Sequence, residues 1–170
     1  MQTFEAIFTR KSIREYQPQA VPDELIQELL EAAMQAPSAG NQQPWHFIIV
    51  TDRNQLNALA DALPYGKMLK EAPVGIVVCA DMELERYSGF WVQDCSNATM
   101  HLLLAAHDRG LGAVWVGVYP VEDRVANLKQ VLDLPASVIP LSVVPLGYPA
   151  STPEPAEKRY NTARLHHNRW

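Results

Sequence analysis

The chain has only two cysteines, Cys79 and Cys95, each inside an apolar segment. That excludes a disulfide framework and leaves too few thiolates for a cysteine-held iron–sulfur cluster, so both are expected to be buried and reduced. Charge is scarce as well, at 19% of residues against about 25% in an average domain. The net charge of −5 excludes nucleic-acid binding through bulk positive charge. No apolar run approaches the roughly 18 to 20 residues of a membrane span, and Met1 to Glu5 lack the basic start of a secretory signal. The protein is therefore expected to be soluble and cytoplasmic, with no membrane partner.

Familiar catalytic and phosphate motifs are missing. Gly110-Leu111-Gly112 begins a glycine-rich run, but Trp115 stands at the third glycine position and the run precedes a strand, so the dinucleotide fingerprint is absent. There is no Walker sequence and no nucleophile elbow. His46, His101, His107, His166 and His167 never pair at i, i+4 on a helix, and no cysteine or carboxylate joins them at ligand spacing, so no metal site is expected.

What is present is one domain's worth of chain: 170 residues, 48% hydrophobic, with 13 prolines. Phe4, Ile7 and Phe8 predict the buried stripe of a short helix capped by Thr3. A second helix opens at Val21 to Glu24 and buries Leu25, Ile26, Leu29, Leu30, Ala33 and Met34, with Glu24, Glu28 and Glu31 in solvent. The proline-rich polar stretch from Ala36 to Pro44 is read as a functional loop, neither helix nor strand. Strands are expected at Trp45–Val50, Val74–Ala80, Ala113–Val118 and Val138–Leu146, and helices at Gln55–Leu63, Phe90–Arg109 and Val121–Leu132. Pro140 and Pro145 each delete a ladder donor, which predicts an edge or irregular position for the last strand. Residues 1–150 form the domain and 151–170 a tail expected to wrap a second subunit.

Seven of the 14 cations sit at the two ends: Arg10, Lys11 and Arg14, then Lys158, Arg159, Arg164 and Arg169. If the ends meet they form a cationic pocket suited to a phosphate monoester; otherwise they are two solvated clusters.

The ordered series Arg10-Lys11-Ser12-Ile13-Arg14, Pro37-Ser38-Ala39-Gly40-Asn41-Gln42-Gln43-Pro44-Trp45-His46-Phe47, Lys67-Met68-Leu69, the Gly-Leu-Gly-Ala-Val-Trp-Val-Gly strand and Val144 to Pro149 resembles the FMN-dependent nitroreductase family from Thr3 to Arg159. The resemblance implies an α+β fold, a three-layer α/β/α sandwich with a mixed, largely antiparallel central sheet. It implies a homodimer with FMN at the interface and ping-pong hydride transfer from NAD(P)H to a nitroaromatic, quinone or related small acceptor. By position, Arg10, Ser12 and Arg14, with Lys11 among them, would hold the FMN phosphate and ribityl chain, and Arg159 would close on the same phosphate. Pro37, Ser38, Ala39 and Asn41 match the loop that the other subunit lays near the flavin ring. Lys67 matches a cation at the flavin N1/O2 edge, and Trp115, Val116 and Gly117, with Val118, the strand end facing its pyrimidine side. Pro64 and Gly117 replace an asparagine and an acidic residue of larger members. No residue is expected to act as nucleophile or general base, because the flavin carries that chemistry. The alternatives are an FMN carrier or redox sensor without efficient NAD(P)H turnover, and a structural dimer clamped by the tail.

Overall fold

The computed structural model describes residues 1–152 and 159–170; Pro153, Pro155 and Lys158 of the tail lie outside them. Its elements are α1 (Thr3–Thr9), α2 (Asp23–Met34), β1 (Trp45–Val50), α3 (Arg53–Ala62), β2 (Val74–Asp81), α4 (Trp91–Asp108), β3 (Gly112–Ala113), β4 (Val116–Gly117), α5 (Glu122–Leu132) and β5 (Val138–Gly147). The strand order is β1-β2-β5-β3, with β4 also on β5, and every ladder is antiparallel. A single Ser12–Ala113 bridge is the parallel contribution.

Val74 to Ala80 are all buried, as their unbroken apolar run requires of a strand covered on both faces. Alternation then divides them: Val74, Ile76, Val78 and Ala80 join a layer with Ile26 and Leu29 of α2 and Ala98 and Leu102 of α4. Val77 and Cys79 face the opposite layer, with Leu56 and Leu59 of α3 and Leu128 of α5. Helices on both faces make the three-layer sandwich.

The proline-bearing strand β5 is central rather than at an edge, and irregular as expected. Val78 pairs with Ser142 but Cys79 with Pro140, so Leu141 is an extra, bulged residue. Leu141 packs into the α2/α4 layer, and the adjacent Ser142 hydroxyl also meets Thr99 Oγ1 of α4 at 3.2 Å, so two consecutive side chains point the same way. The Leu141 carbonyl accepts from both Val118 N at 3.0 Å and Tyr119 N at 3.1 Å. The expected strand over Ala113–Val118 is split in two. Both pieces keep one register against β5, which leaves Val114 and Trp115 opposite Pro145 and Val144. Each missing proline donor thus falls where the ladder is interrupted, and that is how two prolines fit a central strand.

The surface departs from the periodicity reading. Phe4 is 75% exposed, Phe8 69%, Ile7 53% and Met34 48%; only Ala6 of α1 is buried. Gln2 precedes α1 and no side chain, Thr3 included, caps it. The loop also contains one 3-10 turn, Ala39–Asn41. α4 buries Cys95, Ala98, Thr99, Leu102, Leu103 and Ala106 of its apolar stripe and leaves Val92 half-buried; Trp91 is buried as well, and Gly110 follows the helix at φ 75°. Among the described residues, no helix is long and apolar enough to cross a membrane.

Candidate functional site

After α1 the chain runs extended along the sheet edge. Ile13 N donates to Ala113 O at 3.0 Å, and Ser12 bridges the same residue. A Cβ on Gly112 would stand 2.6 Å from Ile13 Cγ2, so the absence of a side chain there is what lets the basic segment lie this close. Tyr16, 7% exposed, anchors the segment from below, its hydroxyl 2.7 Å from Ile13 O and 3.2 Å from Pro145 O. Burial pushes that phenol well above its ordinary pKa. Gln17 N donates to Tyr148 O at 2.8 Å and Ala150 N to Glu15 O at 3.0 Å, so the first and last parts of the domain run side by side.

Beyond this pairing, Arg159 lies within charge range of Arg10. Arg10 is half-buried, and its pKa is lowered first by that burial and then by the charge of Arg159. Among the described residues, no carboxylate lies in ion-pair range of Arg10, Lys11, Arg14 or Arg159; the ion pairs present are Met1 with Asp108, Lys70 with Asp61, and Arg109 with Glu28 and Asp108. His107 adjoins the cluster. Thr9 Oγ1 lies 2.7 Å from Glu5 O and 2.7 Å from His107 Nε2, which ties the ring to α1. Burial and then Arg10 depress the His107 pKa.

The path from Ala113 to Gly117 covers about 13 Å at about 3.3 Å per residue. At its far end Gly117 borders open space, with no atom within 4 Å of where a Cβ would stand. Arg124 of α5 donates to Gly117 O at 3.0 Å while its guanidinium lies 5.4 Å from the centre of the Tyr65 ring. Lys67, exposed, opens a 3-10 turn two residues beyond Tyr65. Trp115 is half-buried and Val116 buried. One strand path therefore joins the Ser12 bridge at one end to Gly117 and Arg124 at the other.

Pro37, Ser38, Ala39 and Asn41 are held elsewhere. α4 presents Asp94, 2% exposed, and Asn97 one turn later: Ala39 N donates to Asp94 Oδ1 at 2.9 Å, Gln42 Nε2 to Asp94 Oδ2 at 2.6 Å, and Asn97 Nδ2 to Pro37 O at 3.3 Å. Gln42 Oε1 accepts from Arg86 N at 2.8 Å and Tyr87 N at 3.0 Å, and Ser38 Oγ accepts from Gln43 N at 3.1 Å. Asn41 (φ 56°) and Gln43 (φ 49°) adopt the left-handed region without being glycine, a strain of about 1–3 kcal/mol each that the surrounding bonds must hold. The rise of α4 puts Asp94 about 20 Å from His107. A single chain therefore keeps the loop well away from the cation cluster.

Asp94 and Arg124 were not singled out by motif; Gln42 stood inside the quoted series and His107 among the histidines, each without a role. Asp94 alone carried a signal, an acid on the apolar stripe of α4. The expectation of buried cysteines holds: both are buried, and burial raises the Cys79 thiol to about 12. Among the described residues, no cluster of histidine, cysteine or carboxylates could hold a metal.

The family model "Nitroreductase family" matches residues 7–64 and 61–148. A Methanothermobacter thermautotrophicus protein provisionally named NADH dehydrogenase/NAD(P)H nitroreductase is 52% identical over 100% of this chain and 88% of its own. A Parabacteroides distasonis crystal structure with the same provisional name superposes at a TM-score of 0.95, with 46% identity over 100% of this chain and 99% of that one. A Desulfovibrio desulfuricans nitroreductase structure in complex with FMN superposes at 0.85, with 31% identity over 98% and 96% of the two chains.

Proposed function

The chain belongs to the nitroreductase family, and on the site it builds we propose that it is an FMN-dependent NAD(P)H oxidoreductase of the cytoplasm, passing hydride in ping-pong fashion to a nitroaromatic, quinone or related small acceptor. One observation carries the reading: Arg10 and Arg159, from opposite ends of the chain, lie within range of each other's charge, with no ion-pair carboxylate among the described residues. Two guanidinium groups, one of them half-buried, repel each other unless a third, anionic group joins them, and a phosphate monoester fits that need.

Arg10, Lys11, Ser12, Arg14 and Arg159 would hold the phosphate and ribityl arm. Trp115, Val116 and Gly117 would border the ring, for which the space beside Gly117 leaves room. FMN would supply the hydride chemistry itself. Lys67, and the fixed guanidinium of Arg124, would place positive charge where the reduced ring carries negative charge.

The loop of Pro37, Ser38, Ala39 and Asn41 would serve the site of a second copy. Its distance from the cation cluster along α4 supports a homodimer. So do the exposed Phe4 and Phe8, whose rings stack 6.2 Å apart on α1, and the exposed Met100, Leu165 and Trp170. The tail from residue 151 would contribute to both the interface and, through Arg159, the phosphate site.

The test is the purified protein's visible spectrum followed by stopped-flow mixing. A flavin spectrum bleached rapidly by NAD(P)H is expected. A colourless protein that takes up no FMN overturns the reading, and bleaching by dithionite alone marks a flavin carrier instead.

A further inference from the structure

We propose that Asp94 and Gln42 form a polar latch that sets the position of the Ser38–Asn41 loop, and that they are positioning residues for flavin and acceptor binding. The inference rests on the reading above in one respect, that this loop borders a flavin.

The bonds form one chain of matched polarity. Asp94 is a buried carboxylate whose two oxygens each accept one bond, from Ala39 N and from the Gln42 amide nitrogen. The Gln42 oxygen, turned the other way, accepts from two backbone amides, Arg86 N and Tyr87 N. Gln42 is itself 5% exposed, so neither end of its amide can turn to water. The orientation of this amide is therefore dictated from both sides: reversing it would face two oxygens at Asp94 and a nitrogen at two N–H groups.

The latch joins three segments: the loop, the turn before α4, and α4. Between its two attachment points stand Gly40 and Asn41, both at positive φ. Tyr87, whose amide Gln42 holds, lies over Gly40 so closely that a Cβ there would run into its ring. The loop is thus strained, fitted under Tyr87 and pinned at Ala39 and Gln42, while Asn41 itself stays exposed. Constraint concentrated around an exposed polar residue points to presentation of that residue rather than to packing alone.

The matched polarity supplies the test. Asp94→Asn sets an amide nitrogen against either Ala39 N–H or the Gln42 amide. The double variant Asp94→Asn/Gln42→Glu restores all four bonds. Its new amide at position 94 accepts from Ala39 N and donates to the new carboxylate at position 42, whose other oxygen accepts from Arg86 N and Tyr87 N. In the full-length protein, below the melting transition of each variant, Asp94→Asn should raise the FMN dissociation constant and the KM for a nitroaromatic acceptor about 5- to 30-fold. The double variant should recover most of that loss. Gln42→Ala, which leaves Asp94 its bond to Ala39, should act in the same direction should Asp94→Asn fail to fold. Unchanged FMN affinity and KM in folded Asp94→Asn, or failure of the folded double variant to recover them, overturns the latch. A wild-type protein that binds no FMN instead overturns the functional reading on which the inference rests.

Discussion

Arg10 and Arg159 lie within range of each other's charge, and no described carboxylate separates them. Truncating Arg10→Ala removes one of the two charges without touching the core, so the fold should survive. FMN affinity should fall by about 1.5 to 3 kcal/mol, the scale of a lost charge-assisted hydrogen bond. Equilibrium titration of flavin fluorescence measures it, and an unchanged dissociation constant would remove Arg10 from the site.

Gly112 is the contact on which the basic segment rests. Gly112→Ala places a methyl group 2.6 Å from Ile13 Cγ2, so one of the two strands must shift. A loss of about 1–3 kcal/mol in stability is expected from overpacking, together with weaker FMN binding because Ser12 moves with Ile13. Urea denaturation and flavin titration read the two effects, and wild-type values in both would mean that the segment yields freely.

His107 predicts a pH dependence with a definite sign. Burial and the nearby Arg10 lower its pKa in the folded chain. Between that lowered value and the ordinary histidine value the unfolded chain binds a proton that the folded chain does not, so stability falls as pH drops through this window and levels off above it. Comparing urea midpoints at about pH 5.5 and about pH 7.5, the drop should be smaller in His107→Gln than in the wild type. It should also shrink when FMN is bound, because a phosphate offsets the Arg10 charge. Equal drops in variant and wild type would contradict the assignment.

The exposed apolar residues make a prediction about assembly. Phe8→Glu or Met100→Glu introduces a charge on a surface that carries no core function in the single chain. Each should shift the protein from dimer to monomer in sedimentation and lower FMN retention with it, since the loop would no longer reach a second copy's site. A monomeric wild type with full FMN occupancy would show that one chain suffices.

The elements themselves were largely legible from residue pattern. The all-apolar Val74–Ala80 could only be a strand covered on both faces, and the spacing of Cys95, Ala98, Leu102 and Ala106 could only be a long buried helix, because burial imposes those periods locally. The bias of cations toward the two ends was equally plain, although composition could not say whether the ends meet.

Other features depend on partners that local pattern does not contain. Phe4, Ile7 and Phe8 have the spacing of a buried stripe yet face outward, since spacing reports that a face is apolar and not what covers it. Pro140 and Pro145 argued for an edge, but a bulge at Leu141 and the gap at Val114 and Trp115 absorb their missing donors, a solution that exists only once three strands are aligned. The latch of Asp94 and Gln42 joins residues far apart in sequence through hydrogen bonds, which leave no periodic trace. By itself, then, the sequence determined the layers, the helical and strand stretches and the supply of charge, all governed by interactions between near neighbours and solvent. The tertiary structure alone decided which strand is central, that Arg159 comes within charge range of Arg10, and which buried acid holds the loop, because each is a choice among distant partners made by geometry.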